Sequence, residues 1–224
     1  MKKLKIFSIT TVLMVVSIAF RPAEKITEGK ASYAITFVDL TPEMKQTEAM
    51  LPKKMTMYFK GHNFRSEMPT SFGNTITIYN ATKKEFYLLM DMMGQKSALV
   101  QTELEMDETR KTAPVKNLHV KKLEETKKIA GYMCKKAEIS FEMDGITEKV
   151  DCFYTTELPA VGNQNTSPGF DQIEGFMMEY SLNLQGVKMK MVVEEINAQT
   201  INADYFVIPK GFTVKSRKEL VGED

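Results

Sequence analysis

Apolar and polar side chains alternate with a period of two in segment after segment of this chain, and that pattern constrains its fold more than any other feature. In Gly29 to Leu40, Ala31, Tyr33, Ile35 and Phe37 fall on one face and Ser32 and Thr36 on the other, the mark of a half-buried strand. Met55, Met57 and Phe59 repeat the pattern, and Gly61-His62-Asn63 turns the chain into Phe64 to Met68. Thr75 to Tyr79, Glu85 to Met92 and Lys96 to Thr102 follow at hairpin-length spacing. Leu118 to Leu123, Gly131 to Phe141, Lys149 to Thr155, Phe176 to Leu184 and Val187 to Asn197 also read as strands, with hairpin turns at Asp144-Gly145 and Gln185-Gly186. Tyr205 to Pro209 and Phe212 to Val214 predict a last short strand.

About ten strands are too many for a flat open sheet, which curls at that size. The expected architecture is mainly β: a strongly curved antiparallel sheet or open half-barrel with one or two short covering helices. Thr41-Pro42-Glu43 offers an N-cap, a proline at the first helical position and an acid in the first turn, so a helix from Pro42 to Met50 is the predicted cover. Glu103 to Lys116 fits either helix or loop, and residues 159 to 172 read as a long polar loop. Nothing rich in Pro, Ser or Gly divides the chain, so residues 21 to 224 are read as a single β-rich domain.

The first twenty residues stand apart. Lys2, Lys3 and Lys5 precede an uncharged apolar run from Ile6 to Phe20 that ends in Ser17 and Ala19, the order of a secretory signal peptide. The run is shorter than the roughly 20 residues a spanning helix needs, and no second run of that length follows. The reading is a cleaved leader, residues 1–20, and a periplasmic protein with no integral membrane segment. Without the leader the formal charge falls from +1 to roughly −2, because three lysines leave.

Composition narrows the chemistry. Lysine doublets such as Lys53-Lys54 and Lys121-Lys122 are scattered among as many acids, with no basic stripe interleaved with aromatics, so nucleic acid is not an expected partner. His62 and His119 are far apart and belong to no HxxxH or HExxH motif. Glu124-Glu125 and Glu194-Glu195 are strand neighbours that point to opposite faces, which spoils them as acid/base pairs. No GxSxG, phosphate-binding or dinucleotide-binding loop occurs. These features predict a non-enzymatic protein without metal or cofactor.

Cys134 and Cys152 lie on what read as partner strands of one hairpin, in a compartment where disulfides persist. A bridge would close a loop of about 18 residues and contribute roughly 3 kcal/mol. The register opposes it: a two-residue Asp144-Gly145 turn pairs Met143 with Ile146 and Cys152 with Ala137, leaving Cys134 three positions off and facing the other way. Compartment favours a disulfide, which needs a bulge or longer turn; register favours two separate thiols.

The chain has 17 Met and no Trp, and 15 of the Met lie beyond the leader. Pairs such as Met55/Met57 and Met189/Met191 are two apart and share a strand face. Three readings stay open: gap-filling in a core, an adaptable lining for an apolar ligand, and soft-metal binding by thioethers. The lining reading names Met55, Met57, Phe59, Met189 and Met191.

Lys128 to Ile139 (KIAGYMCKKAEI), CFYTTELP at 152 to 159, FDQIEGFMMEYSL at 170 to 182 and DYFVIPKGF at 204 to 212 resemble, in order and type, the motifs of the GLPGLI family and related exported domains of unknown function of Gram-negative bacteria. Phe153 stands where that family has Trp, and Ile173-Glu174-Gly175-Phe176 replaces its LPGL core. The resemblance implies a fold similar to the LolA and LolB lipoprotein carriers, a curved antiparallel sheet around helices that shields acyl chains, and it carries no catalytic residues. The expected function is to hold a lipid, acyl chain or other apolar ligand on the concave sheet face. The alternative is an envelope protein-interaction or structural module with a solid core, contacting its partner through an edge strand or the 159 to 172 loop.

Overall fold

The computed structural model describes residues 26–38, 40–143, 145–162, 168–184, 187–217 and 219. The leader, Asp144 and the Gln185-Gly186 turn lie outside the described residues. Twelve strands, against about ten expected, form one sheet: β1 (Glu28–Val38), β2 (Lys54–Lys60), β3 (Asn63–Thr70), β4 (Gly73–Asn80), β5 (Glu85–Met92), β6 (Gln95–Thr102), β7 (Val115–Ile129), β8 (Tyr132–Met143), β9 (Ile146–Thr155), β10 (Phe176–Leu184), β11 (Val187–Ala198) and β12 (Thr213–Ser216). The order is β12-β6-β5-β4-β3-β2-β1-β11-β10-β9-β8-β7. Two meanders, β1 to β6 and β7 to β11, are thus joined where β1 pairs with β11, and the outermost strands β7 and β12 leave the sheet unclosed. Every pairing is antiparallel except the short parallel contact of β12 with β6. The fold is mainly β, an open half-barrel as the alternation predicts.

Curvature is visible in one contact. Phe59 on β2 and Phe176 on β10 are separated by β1 and β11, three strand spacings that would span about 14 Å in a flat sheet. Their ring centroids are 5.4 Å apart, because the sheet bends until inward side chains of non-adjacent strands meet. Tyr33 on β1 packs against Phe176 and Tyr180 in the same space. Its buried hydroxyl donates to the Met177 carbonyl at 3.0 Å, which satisfies both groups away from water.

The predicted Pro42 helix forms only as α1 (Pro42–Gln46) with a 3-10 turn at Glu48–Met50. Thr41 caps it as read, its hydroxyl accepting from the Met44 amide at 3.3 Å, but neither piece buries a residue. It covers nothing, which corrects the expectation. Residues 103 to 112 resolve as helix, α2 (Glu103–Thr112), held at its start by a reciprocal Thr102–Glu105 capping box. It carries the chain from the end of β6 to the start of β7.

What fills the concavity is the β9–β10 connection, expected to be a polar loop. Leu158, Val161, Phe170 and Ile173 from it are buried. Gly162 lies against Met57 and Phe64 on one wall, and Gly169 against Ile139, Leu118 and Val120 on the other, so the two described parts of the connection seat on opposite walls of the interior. On the convex side, Ile201 and Phe206 of the tail bury Ile76, Ile78, Tyr87 and Leu89. The tail residues predicted as strand instead form a 3-10 turn at Ala203–Phe206, followed by β12.

Candidate functional site

The five side chains that the sequence offers as a ligand lining do share one face. Ladder pairs place Tyr33 beside Met55, Ala31 beside Met57, Ile35 beside Met191 and Phe37 beside Met189. They line no open space, however. Met55, Met57, Phe59, Met189 and Met191 are each at most 6% exposed, within a continuous core that includes Tyr33, Phe176 and Tyr180. The core-packing reading of the methionines holds at these positions, because aromatic rings and the β9–β10 connection occupy the volume a ligand would need.

The open part of the concave face lies on β3 to β6. Phe59, Phe64, Tyr79 and Phe86 form a cross-strand aromatic row at the edge of the core, with Tyr79 and Phe86 stacked at 4.4 Å. From Phe86 the period of two carries the same face of β5 to Leu88, Met90 and Met92. These three are 37–42% exposed. Leu99 on β6 stands opposite Leu88, Thr77 and Thr75 flank the row on β4, and half-buried Met68 lies beyond Thr75 on β3. The lining is therefore apolar along its centre and hydroxyl-bearing along one margin.

The sequence carried signals for this row: Met90 and Met92 are a same-face pair like Met55/Met57 and Met189/Met191, and the run that holds Met90 is apolar throughout. Phe86 to Met90 is apolar on both faces, which predicts a strand covered on both sides. One side is covered: Tyr87 and Leu89 lie under the tail, which side chains of the sheet hold in place. Asn80 Nδ2 donates to the Phe206 carbonyl at 3.0 Å, Lys60 Nζ to the Ile201 carbonyl at 3.0 Å and Arg65 Nη1 to the Tyr205 carbonyl at 3.3 Å. On the other side Phe86 is buried in the core, while Leu88, Met90 and Met92 stay partly open.

The two cysteines remain separate thiols. The ladder is the one the turn arithmetic predicts, Met143 opposite Ile146 and Cys152 opposite Ala137, with no bulge between β8 and β9 to bring Cys134 round. The disulfide expectation is corrected by that register. Both thiols are fully buried, and burial pushes Cys134 up to about 11 and Cys152 up to about 12, away from the reactive thiolate form.

Among the described residues no group of three or more His, Cys, Asp or Glu is placed to hold a metal ion. His62 sits in the exposed β2–β3 turn and His119 on the exposed side of β7. A cavity of about 120 Å³ lies between His62, Tyr79, Gly162 and Asp171 where the β9–β10 connection meets β2 to β4. It is far smaller than the several hundred cubic ångströms of a lipid or cofactor site.

Residues 41–212, more than three-quarters of the chain, match the family described as Domain of unknown function (DUF4412). The chain belongs to the DUF4412 family. The match starts after β1, so it leaves out the strand that joins the two meanders of this DUF4412 protein. It does not single out the GLPGLI family that the carboxy-terminal motifs resemble. No curated protein matches the chain. Among solved structures, the chain is similar to LprF from Mycobacterium bovis, with 9% identity, a TM-score of 0.31, and 84% of this chain and 92% of that one covered. It is similar also to a β-barrel-like protein of domain of unknown function DUF1849 from Brucella abortus, with 9% identity, a TM-score of 0.36, and 79% and 99% covered. Neither likeness is close enough to bear on function.

Proposed function

We propose that this DUF4412 protein is an exported, periplasmic, non-enzymatic binding protein that holds a lipid, an acyl chain or another apolar ligand against the open concave face of β3 to β6. The observation that carries the reading is the exposed row Leu88, Met90 and Met92, contiguous with Leu99 and with the aromatic edge of the core, on a strand whose other side is covered at Tyr87 and Leu89. Exposed apolar side chains are ordinary when scattered singly; a row along one strand of a concave face is the form an apolar binding surface takes. Methionine suits such a surface because its thioether chain adapts to different ligand shapes. The absence of nucleophile, base and phosphate-loop motifs from the sequence supports the non-enzymatic part of the reading.

The solid interior between β7 and β2 favours a second reading, an envelope interaction module that takes no small molecule. One experiment separates the two: native mass spectrometry and solvent extraction of protein purified from its own cell envelope. An apolar molecule that co-purifies with the wild type and is lost from Met90→Lys supports the binding reading. An extract without any such molecule overturns it in favour of the module.

A further inference from the structure

The exposed apolar side chains away from the β5 row are distributed unevenly between the two ends of the sheet. In an antiparallel meander alternate turns fall at the same end, so the β1–β2, β3–β4, β5–β6 and β8–β9 connections share one end. That end presents Met50, Phe72, Met93, Met143 and Ile146, all exposed, with Met93 at 87% and Ile146 at 62%, and Met92 of the β5 row ends there too. The opposite end carries Leu104 at the start of α2 and Met133 beside the β7–β8 turn.

We infer that the turn end bearing Phe72, Met93 and Ile146 docks on a lipid bilayer surface by inserting its apolar tips. Two observations choose a bilayer over a protein partner. First, the tips fall into two groups on separate connections, Phe72 and Met93 side by side and Ile146 across the strand order at β8–β9, and each group can enter a headgroup region on its own. Second, the two neighbouring tips are uncharged from Ser71 to Asn74 and from Met92 to Gln95, so insertion desolvates no ion there. They are fixed to each other by the Met93 amide, which donates to the Phe72 carbonyl at 3.1 Å. The nearest ions, Asp91 and Lys96, pair with each other one step behind the tip at 3.5 Å. Exposed Lys45, Lys53, Lys54 and Lys188 lie at this end with Glu43 and Glu48, and Asp144 precedes Ile146 in the sequence, so the apolar contact is carried by the two uncharged tips. Met92 belongs to both the tip and the β5 row, which makes the docked surface continuous with the proposed ligand face. The docking inference does not depend on that ligand reading.

The test is vesicle flotation of the purified, leader-free exported protein with phosphatidylcholine vesicles and with phosphatidylethanolamine–phosphatidylglycerol vesicles. Binding to both, retained in about half-molar salt, is the expected result. The triple variant Phe72→Ser/Met93→Ser/Ile146→Ser should lose at least about tenfold in partitioning, whereas Leu104→Ser/Met133→Ser at the other end should float as the wild type does. The chain has no Trp, so Met93→Trp supplies a single reporter whose emission should shift to the blue on vesicles and be quenched by brominated lipid, a check that does not rely on the triple variant. Wild type that stays in the aqueous fraction, a triple variant that floats unchanged, or binding confined to anionic vesicles and abolished by salt would each overturn the inference. Ligand extraction reads the other proposal separately, since Met90→Lys is expected to lose ligand and still float.

Discussion

Cys152 stands directly opposite Ala137 in the β8–β9 ladder, and Cys134 lies three positions along the same strand as Ala137, on the opposite face of the sheet. No rotamer joins two sulfurs across a sheet in that register. The chain should therefore carry two titratable thiols in denaturant even when produced in an oxidising compartment. In the native state burial raises both, to about 11 and about 12, so at pH 8 the thiolate fraction is roughly 100- to 1,000-fold below that of a free cysteine. Reaction with an aromatic disulfide reagent should be slowed by that order before unfolding and complete at once after it. A single disulfide in the intact mass of the protein so produced would contradict this register.

The β8–β9 register was legible because a two-residue hairpin turn fixes the residue count between its strands, and every later pair follows from it. The same-face grouping of Met55, Met57 and Phe59 and the Thr41 cap were legible for equally local reasons. What fills the sheet was not. Val161 and Phe170 sit in an irregular segment dominated by turn formers, where burial leaves no period to detect, and α1 has a good cap but no apolar face to bury. The β5 site was half legible: the two-sided apolar run was plain, but its convex partners Ile201 and Phe206 come from the far end of the chain, and only their position tells which face stays open.

Gly169 tests the finding that the β9–β10 connection is the cover. Its φ of +86° disfavours any side chain, and a Cβ there would come within 2.7 Å of Ile139 Cγ2 and 3.0 Å of Leu118 Cδ1. Gly169→Ala combines left-handed strain of about 1–2 kcal/mol with overpacking of about 1–3 kcal/mol. A loss of roughly 2–4 kcal/mol should appear as a lower denaturation midpoint with unchanged slope. A variant as stable as the wild type would mean that the connection does not seat against β7 and β8.

Glu179 sets a pH dependence on the convex face. Burial raises its carboxyl, but hydrogen bonds from Lys127 Nζ at 2.5 Å and Lys190 Nζ at 2.8 Å outweigh that and hold it below the usual carboxylate range. A carboxylate depressed on folding contributes stability that is complete above its unfolded value, near 4.3, and is lost as pH falls through the folded value. Stability should therefore decline on acidification from about pH 5 downward. Both lysines are substantially exposed, so the contribution is near the low end for charged hydrogen bonds. Glu179→Gln should cost about 1 kcal/mol at pH 7 and flatten the acid limb of a urea-midpoint profile, whereas a change in a distant exposed carboxylate such as Glu108→Gln should leave that limb intact.

Leu88 and Leu89 are sequence neighbours on opposite faces of β5, and the structure assigns them opposite work. Leu89 is fully buried under the tail, in contact with the cluster of Ile76, Ile78, Tyr87 and Phe206. Leu89→Ala should cost about 2–5 kcal/mol through lost burial and the cavity it leaves, and should lower the thermal midpoint by several degrees. Leu88 lies on the open part of the concave face, opposite Leu99, and is 37% exposed. Leu88→Lys should change stability by less than about 1 kcal/mol, as surface substitutions do. It should nonetheless reduce co-purifying apolar ligand severalfold, because a charge on the lining must be desolvated when the ligand binds. Thermal melts and solvent extracts of the two variants, measured side by side, should give a stability defect without ligand loss per folded molecule for Leu89→Ala, and ligand loss without a stability defect for Leu88→Lys.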